Sequence, residues 1–340
     1  MLIDRFLTQG REFLGSRYPI MCGAMTWVSD PGLVSAVGNA GGFGLLAGGN
    51  APAEILRQQI EETRRLTDQP FGVNMITLAP AYREHLDLVC DMGLDFIVFA
   101  GGIPRKSDIQ QAKACGGRVV CFAPTAPLAL NLIDRGADAL ILEGSEAGGH
   151  IGPVALSVLI QQILFEVDSV PVFVAGGIAT GRMMAHLLMM GAAGVQMGTR
   201  FIMSEECKAH PNFKEAFRKA KAKDAVATPS FDSRLPVIPV RALKNAGTIE
   251  FAKLQIELLQ KLDSDLIDRK LALYAVENFW VGALKDAVID GDITKGSLMA
   301  GQSVGLADEV KPLKGIIDEM VEHAEAELKR LKGVLSTRKP

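Results

Sequence analysis

The residues best suited to chemistry lie in one stretch: Glu143, Gly144, Ser145, Glu146, Ala147, Gly148, Gly149, His150, Ile151 and Gly152. It holds two carboxylates, four glycines and one histidine. Histidine moves a proton near neutral pH, and glycine lets backbone N–H groups approach a ligand closely. The stretch follows the apolar run Ala139, Leu140, Ile141 and Leu142, so a buried strand ends in a histidine-bearing loop. Loops leaving strand ends are where α/β enzymes keep their chemistry. A plain strand-to-helix connection with a surface histidine has the same local pattern, so the rest of the chain must decide.

Such a loop needs a sheet to aim it. Between residues 19 and 197 one unit recurs: a short β-branched or apolar run, a glycine- or proline-bearing loop, then an amphipathic segment. Strands are expected at residues 19–25, 43–46, 71–75, 96–99, 118–122, 139–143, 170–175 and 194–197. Helices are expected at 51–66, with Ile55, Ile60 and Thr63 facing inward, and at 81–92 and 126–135. Strands alternating with helices predict a parallel sheet, and no GxGxxG follows the first strand. The fold class is therefore α/β, a (β/α)8 TIM barrel. After residue 204 the rhythm breaks. Residues 205–224 read as a charged helix, 229–239 as a proline-bearing loop, and 248–262 and 266–290 as helices. This predicts a barrel from residues 1–204 and 291–340 with a mostly helical lobe, 205–290, inserted after the eighth strand. The lysine-rich opening of that lobe could greet an acidic carrier protein.

Composition narrows the function. The net charge of −3 gives no basic face for nucleic acid. Five scattered cysteines without CxxC spacing argue against a disulfide framework or a zinc site, and Cys22 reads as a small buried thiol. The first residues lack an apolar leader segment, and no uninterrupted apolar run nears the roughly 18 residues of a membrane span. The cytoplasm and a small-molecule or protein-carried substrate are expected.

In a parallel barrel the ligand site lies at the C-terminal strand ends. There the chain offers Gly23, Ala24 and Met25 after the first strand, Asn74 after the third, and the 143–152 stretch after the sixth. Gly176 and Gly177 follow the seventh strand, and Gln196, Gly198 and Thr199 end the eighth. Glycine turns after the last two strands make a cradle of backbone N–H groups for phosphate. With small residues and a thioether around the rest of the mouth, a phosphate-bearing flat heterocycle such as FMN fits. A sugar-phosphate barrel without flavin would have no use for the apolar first loop.

These motifs resemble those of the nitronate monooxygenase (2-nitropropane dioxygenase) superfamily of FMN barrels. The stretches that carry the resemblance are residues 22–28, 71–74, 143–152, 175–178 and 197–201. Within that superfamily, residues 48–52, 143–152 and 296–306 resemble the enoyl-acyl-carrier-protein reductase II branch. Phe122 stands where the quinone-reductase branch carries a lysine. The resemblance implies that Gly23, Ala24 and Met25 line the isoalloxazine, that Asn74 and Glu143 meet its polar edge, and that Gly148 and Gly149 approach it by backbone. It further implies that Gly176, Gly177, Gln196, Gly198 and Thr199 hold the phosphate end and that His150 is catalytic. NADH or NADPH is the implied reductant, an acyl-carrier-protein thioester the implied substrate, and a homodimer the implied assembly. Oxidation of alkyl nitronates with O2 is the other activity the family implies. His85, His186, His210 and His323 read as surface or packing residues.

Overall fold

The computed structural model describes residues 1–49 and 51–337. Asn50, part of the 48–52 motif, lies outside the described residues. In chain order the strands are β1 (Ile20–Cys22), β2 (Phe43–Ala47), β3 (Phe71–Ile76), β4 (Phe96–Ala100), β5 (Arg118–Phe122), β6 (Ala139–Glu143), β7 (Gly149–His150), β8 (Val172–Ala175), β9 (Gly194–Met197), β10 (Ala225–Ala227) and β11 (Val240–Leu243). Strands β1 to β6, β8 and β9 close a parallel barrel, with β9 pairing back to β1. The expected eight-stranded barrel is the observed one.

Alternation along each strand divides the core. Met21, Phe43, Leu45, Phe96, Val98, Val120, Ala139, Ile141, Phe173 and Ala175 pack together with Leu14 inside the barrel. Their neighbours Cys22, Leu46, Ile97, Cys121, Leu140, Leu142, Val174 and Val195 face the surrounding helices. The N-terminal helix Asp4–Leu14 plugs the bottom, where Phe13 meets Phe96 edge-on with ring centroids 5.8 Å apart. Cys22 is fully buried, and desolvation pushes its thiol up, as suits a packing residue.

Some local expectations shift by a residue or two for clear reasons. In the helix Ala53–Leu66 the buried side chains are Leu56, Ile60 and Thr63, while Ile55 is exposed. Positions 56, 60 and 63 follow the helical repeat, and 55 falls off that stripe. The helix expected at 205–224 is confined to Pro211–Lys219. Pro211 opens it, because the residue before a proline is driven out of the helical region; the ring of His210 accepts from Asn212 N at 3.1 Å.

The inserted segment carries its own apolar cluster, Leu235, Val237, Val240, Phe251, Leu258, Ala272, Val276 and Trp280. Its long helices are Ala246–Asp263 and Arg269–Val288, and Phe251 stacks against Trp280 at 4.2 Å between centroids. It also contains strand. β10 and β11 pair antiparallel, and β11 pairs in turn with β7, which leaves the barrel just after β6. The lobe is thus stitched to the mouth through backbone. The helix Leu313–Thr337 then packs on the helix Gly181–Met189, where His186 meets Glu327 at 2.9 Å. No described helix is long and apolar enough to cross a membrane.

Candidate active site

The inner-face alternation continues to the top of the barrel and decides which side chains enter the mouth. Ala139 and Ile141 point inward, so Glu143 does too; Met21 points inward, so Gly23 does. Between the outward Val73 and Met75 lies Asn74, and between Val195 and Met197 lies Gln196. Across neighbouring strands Asn74 is level with Ala47, Glu143 with Ala175, Ala175 with Gln196, and Gln196 with Met21. On the inner face at the strand ends, Gly23, Asn74, Glu143 and Gln196 thus surround the mouth as a loose ring that spans more than one level. Sequence spacing alone could not supply this register.

The ring is polar and under-satisfied. Among the described residues, Asn74 Oδ1 and Gln196 Oε1 are buried with no hydrogen-bond partner. Buried acceptors of that kind call for a donor from a ligand. A Cβ on Gly23 would stand 3.2 Å from the Gln196 amide nitrogen, so the amide lies against bare backbone. Glu143, walled in by the barrel on all sides but the mouth, is pushed up to about 8 by desolvation alone. Its carboxyl stays protonated through neutral pH and can donate a hydrogen bond. An amide pair and a neutral carboxyl around an apolar floor suit a flat heterocycle with imide-type donors and acceptors.

The first loop is shaped by a serine that sequence reasoning passed over. Ser29 Oγ donates to the Gly23 carbonyl and accepts from Met25 N, each at 2.9 Å. Ala24 packs on the barrel-interior cluster, and Met25 Sδ lies 3.3 Å from where a Gly198 Cβ would be. Gly176 and Gly177 have φ of 93° and 70°, the left-handed region that favours glycine. A Cβ on Gly176 would come within 2.9 Å of the Gly144 carbonyl, whereas one on Gly177 would have 3.5 Å to its nearest neighbour, Glu146 Cβ. A cavity of about 600 Å³ adjoins both glycines, walled by Leu156, Ile160, Phe165 and Met183.

The 143–152 stretch is held from both sides. Arg241 on β11 reaches the Ser145 carbonyl, and Ser145 N in turn bonds the Val154 carbonyl at 2.9 Å. Glu146 accepts from Leu156 N at 3.1 Å through its carboxylate and from Gln302 N at 2.9 Å through its backbone oxygen. Gly148 is pressed against residues 300 and 301: a Cβ there would lie 2.5 Å from Gly301 N. Gly149 faces Met299. Gly301 N donates to Thr199 Oγ1 at 3.0 Å, so that hydroxyl serves the returning chain as acceptor and keeps its own hydrogen to donate. His150 is not in the ring. It sits above it on β7, level with Val240, with a side chain 38% exposed. Neither Arg241 nor Glu277, which faces His150, had a readable signal in the sequence.

Comparison with known proteins agrees with this fold. The family model for nitronate monooxygenase matches residues 8–89 and 75–323. The chain is 32% identical to (3aS,4S,5R,7aS)-5-hydroxy-7a-methyl-1-oxo-octahydro-1H-indene-4-carboxyl-CoA dehydrogenase of Rhodococcus jostii, over 92% of this chain and 94% of that one. It is 28% identical to a probable nitronate monooxygenase of Staphylococcus saprophyticus, over 93% and 97%. Among solved structures, FabK from Thermotoga maritima superposes with a TM-score of 0.84 at 36% identity, covering 95% of this chain and 98% of that one. A nitroalkane oxidase from Streptomyces ansochromogenes gives 0.77 at 26%, covering 94% and 99%. Fold and mouth define an oxidoreductase barrel. The chain belongs to the nitronate monooxygenase family.

Proposed function

We propose that this chain is an FMN-dependent oxidoreductase of the cytoplasm that uses NADH or NADPH to reduce the 2,3 double bond of an enoyl thioester carried by acyl carrier protein. The observation that carries the flavin is the pair of buried, unpartnered amide oxygens, Asn74 Oδ1 and Gln196 Oε1, on the loose ring around the mouth. Asn74 and Gln196 would accept from and donate to the ring's polar edge, and protonated Glu143 would donate to an acceptor on it. Gly23, Ala24 and Met25 would floor the ring, with Gly148 and Gly149 approaching by backbone. Gly176, Gly177, Gly198 and Thr199 would take the phosphate. FMN held there would supply reversible two-electron chemistry between the pyridine nucleotide and the enoyl thioester. His150, standing above the ring, would give the substrate's α-carbon its proton.

Two relatives support the thioester. The Rhodococcus relative is named for a carboxyl-CoA substrate, and FabK is the enoyl-acyl-carrier-protein reductase II of the resemblance. The second reading, oxidation of alkyl nitronates with O2, is favoured by the names of the Staphylococcus and Streptomyces relatives. Stopped-flow spectroscopy separates them. NADH or NADPH should bleach the bound flavin, and an enoyl thioester should restore its colour faster than O2 alone. Nitronate-dependent O2 uptake without thioester-dependent reoxidation overturns the lead in favour of the second reading. His150→Ala should keep the flavin and lose about a hundredfold or more in turnover, the usual weight of a general acid.

A further inference from the structure

The helix Arg269–Val288 turns one stripe toward the barrel mouth. Glu277, Val281 and Lys285 recur every four residues and so share a face. Glu277 Oε1 lies 3.5 Å from His150 Nε2. One turn on, the Val281 carbonyl accepts from Trp27 Nε1 at 3.1 Å. A further turn on, the Lys285 ammonium stands 5.8 Å from the centre of the same indole. Trp27 is itself unusual, a bulky residue at φ 65° on the loop leaving β1. One helix face therefore bridges the exits of β1 and β6, touching the loop that holds Met25 and the strand that holds His150.

We propose that Glu277 is the positioning residue of His150, and that Trp27 seats the helix that delivers its carboxylate. The substrate named for His150 rests on the thioester reading above; the assignment of Glu277 does not. A carboxylate beside Nε2 favours a hydrogen on that nitrogen and turns Nδ1 to the mouth as the atom that handles the proton. At 3.5 Å, with both side chains partly exposed, the contact orients the ring rather than burying a charge pair, and such contacts tighten when substrate enters. The other charged groups around His150 are already engaged or lie below it. Arg241 is bound to two carbonyls, the Glu146 carboxylate accepts from Leu156 N, and Glu143 closes the ring beneath.

The test compares wild type with Glu277→Gln, Glu277→Asp and Trp27→Phe as holoenzymes. Imidazole nitrogen NMR, with His150 assigned by difference from His150→Gln, reads the tautomer directly and without substrate. Glu277→Gln should move His150 from a dominant Nε2–H tautomer toward a mixture and shift the pH profile of flavin reoxidation. It should lower kcat about tenfold, a part of the general-acid contribution, with little change in KM. Glu277→Asp should restore part of each effect. Trp27→Phe, which keeps the ring but loses the N–H, should move the tautomer in the same direction by less. An unchanged tautomer and pH profile in Glu277→Gln overturns the proposal, as does an unchanged tautomer in both other variants if Glu277→Gln fails to fold. If no thioester reoxidises the flavin, the functional reading falls while the tautomer still decides Glu277.

Discussion

Arg241 donates from Nε to the carbonyl of Ser145 at 3.0 Å, fastening the loop that leaves β6 to the strand that comes back from the lobe. Its Nη1 holds the Ala225 carbonyl at 2.7 Å. Burial works against the arginine's charge, and the nearby Glu146 works for it. The guanidinium fork spans two carbonyls on two elements, a task a lysine cannot share because its ammonium is a single point.

Arg241→Met should therefore leave Ser145 and Ala225 without their donor and lower stability by about 1–3 kcal/mol. Arg241→Lys should recover less than half of that. Thermal unfolding of the two variants checks this, and a lysine variant as stable as wild type would refute the fork.

Asn74 and Gln196 make a prediction with opposite signs in the two forms of the protein. Their unpartnered oxygens cost stability in the apoprotein and repay it when a donor arrives. Asn74→Leu and Gln196→Met should leave apoprotein melting unchanged or raised, and weaken flavin binding at least about tenfold, or 1.4 kcal/mol. Differential scanning of apo and flavin-loaded protein reads both. Equal flavin stabilisation in wild type and variants would remove the amides from the site.

Glu143 predicts a pH dependence. Its folded value near 8 lies above the ordinary 4.5, so its stabilising contribution is complete below 4.5 and is lost as the pH rises toward 8. Glu143→Gln cannot ionise. The stability difference between variant and wild-type apoprotein should grow in favour of the variant across that window. Parallel denaturation curves from pH 4.5 to 8 would show that Glu143 titrates at its ordinary value.

Two glycines should fail differently. Gly148→Ala drives a methyl to 2.5 Å from Gly301 N and 2.6 Å from the Ala300 carbonyl carbon, so it should cost about 1–3 kcal/mol in overpacking. Gly177→Val meets nothing closer than 3.5 Å with its Cβ, but its branches fill the cradle and its backbone is strained at φ 70°. The first should lower the melting temperature most; the second should most reduce flavin absorbance per protein. A Gly177 variant that keeps stoichiometric flavin would dismiss the phosphate role.

The barrel was legible because each strand is an apolar run such as Phe96 to Phe99 or Ala139 to Leu142, bounded by glycine or a cap, and burial on both sides demands such runs. The inward residues became legible only with the register, since whether Asn74 or Met75 faces the mouth depends on a single step of alternation. β7 was hidden. Gly149 and His150 are too few to show a period, and their partner strand lies about ninety positions on, so the loop expected to hold His150 is partly strand. Glu277 was hidden for a different reason: it is one of two carboxylates on the helix Arg269–Val288, with Asp286, and only the lobe's docking shows that its face meets β7.

The contact between Thr199 and Gly301 joins residues 102 positions apart, and Glu146 meets Gln302 across a still longer gap. The barrel strands can all pair once β9 has been made, yet the wall behind the histidine loop arrives only with the chain that follows the lobe. Long-range closures of this kind come late in folding, because their loop entropy is met before their contacts form. During synthesis the wall behind the histidine loop can therefore be completed only after nearly the entire polypeptide has been made. Truncation just before residue 296 would remove that wall together with the helix Leu313–Thr337, whose Ile316, Ile317, Met320 and Val321 lie in the core, and should destabilise the barrel itself.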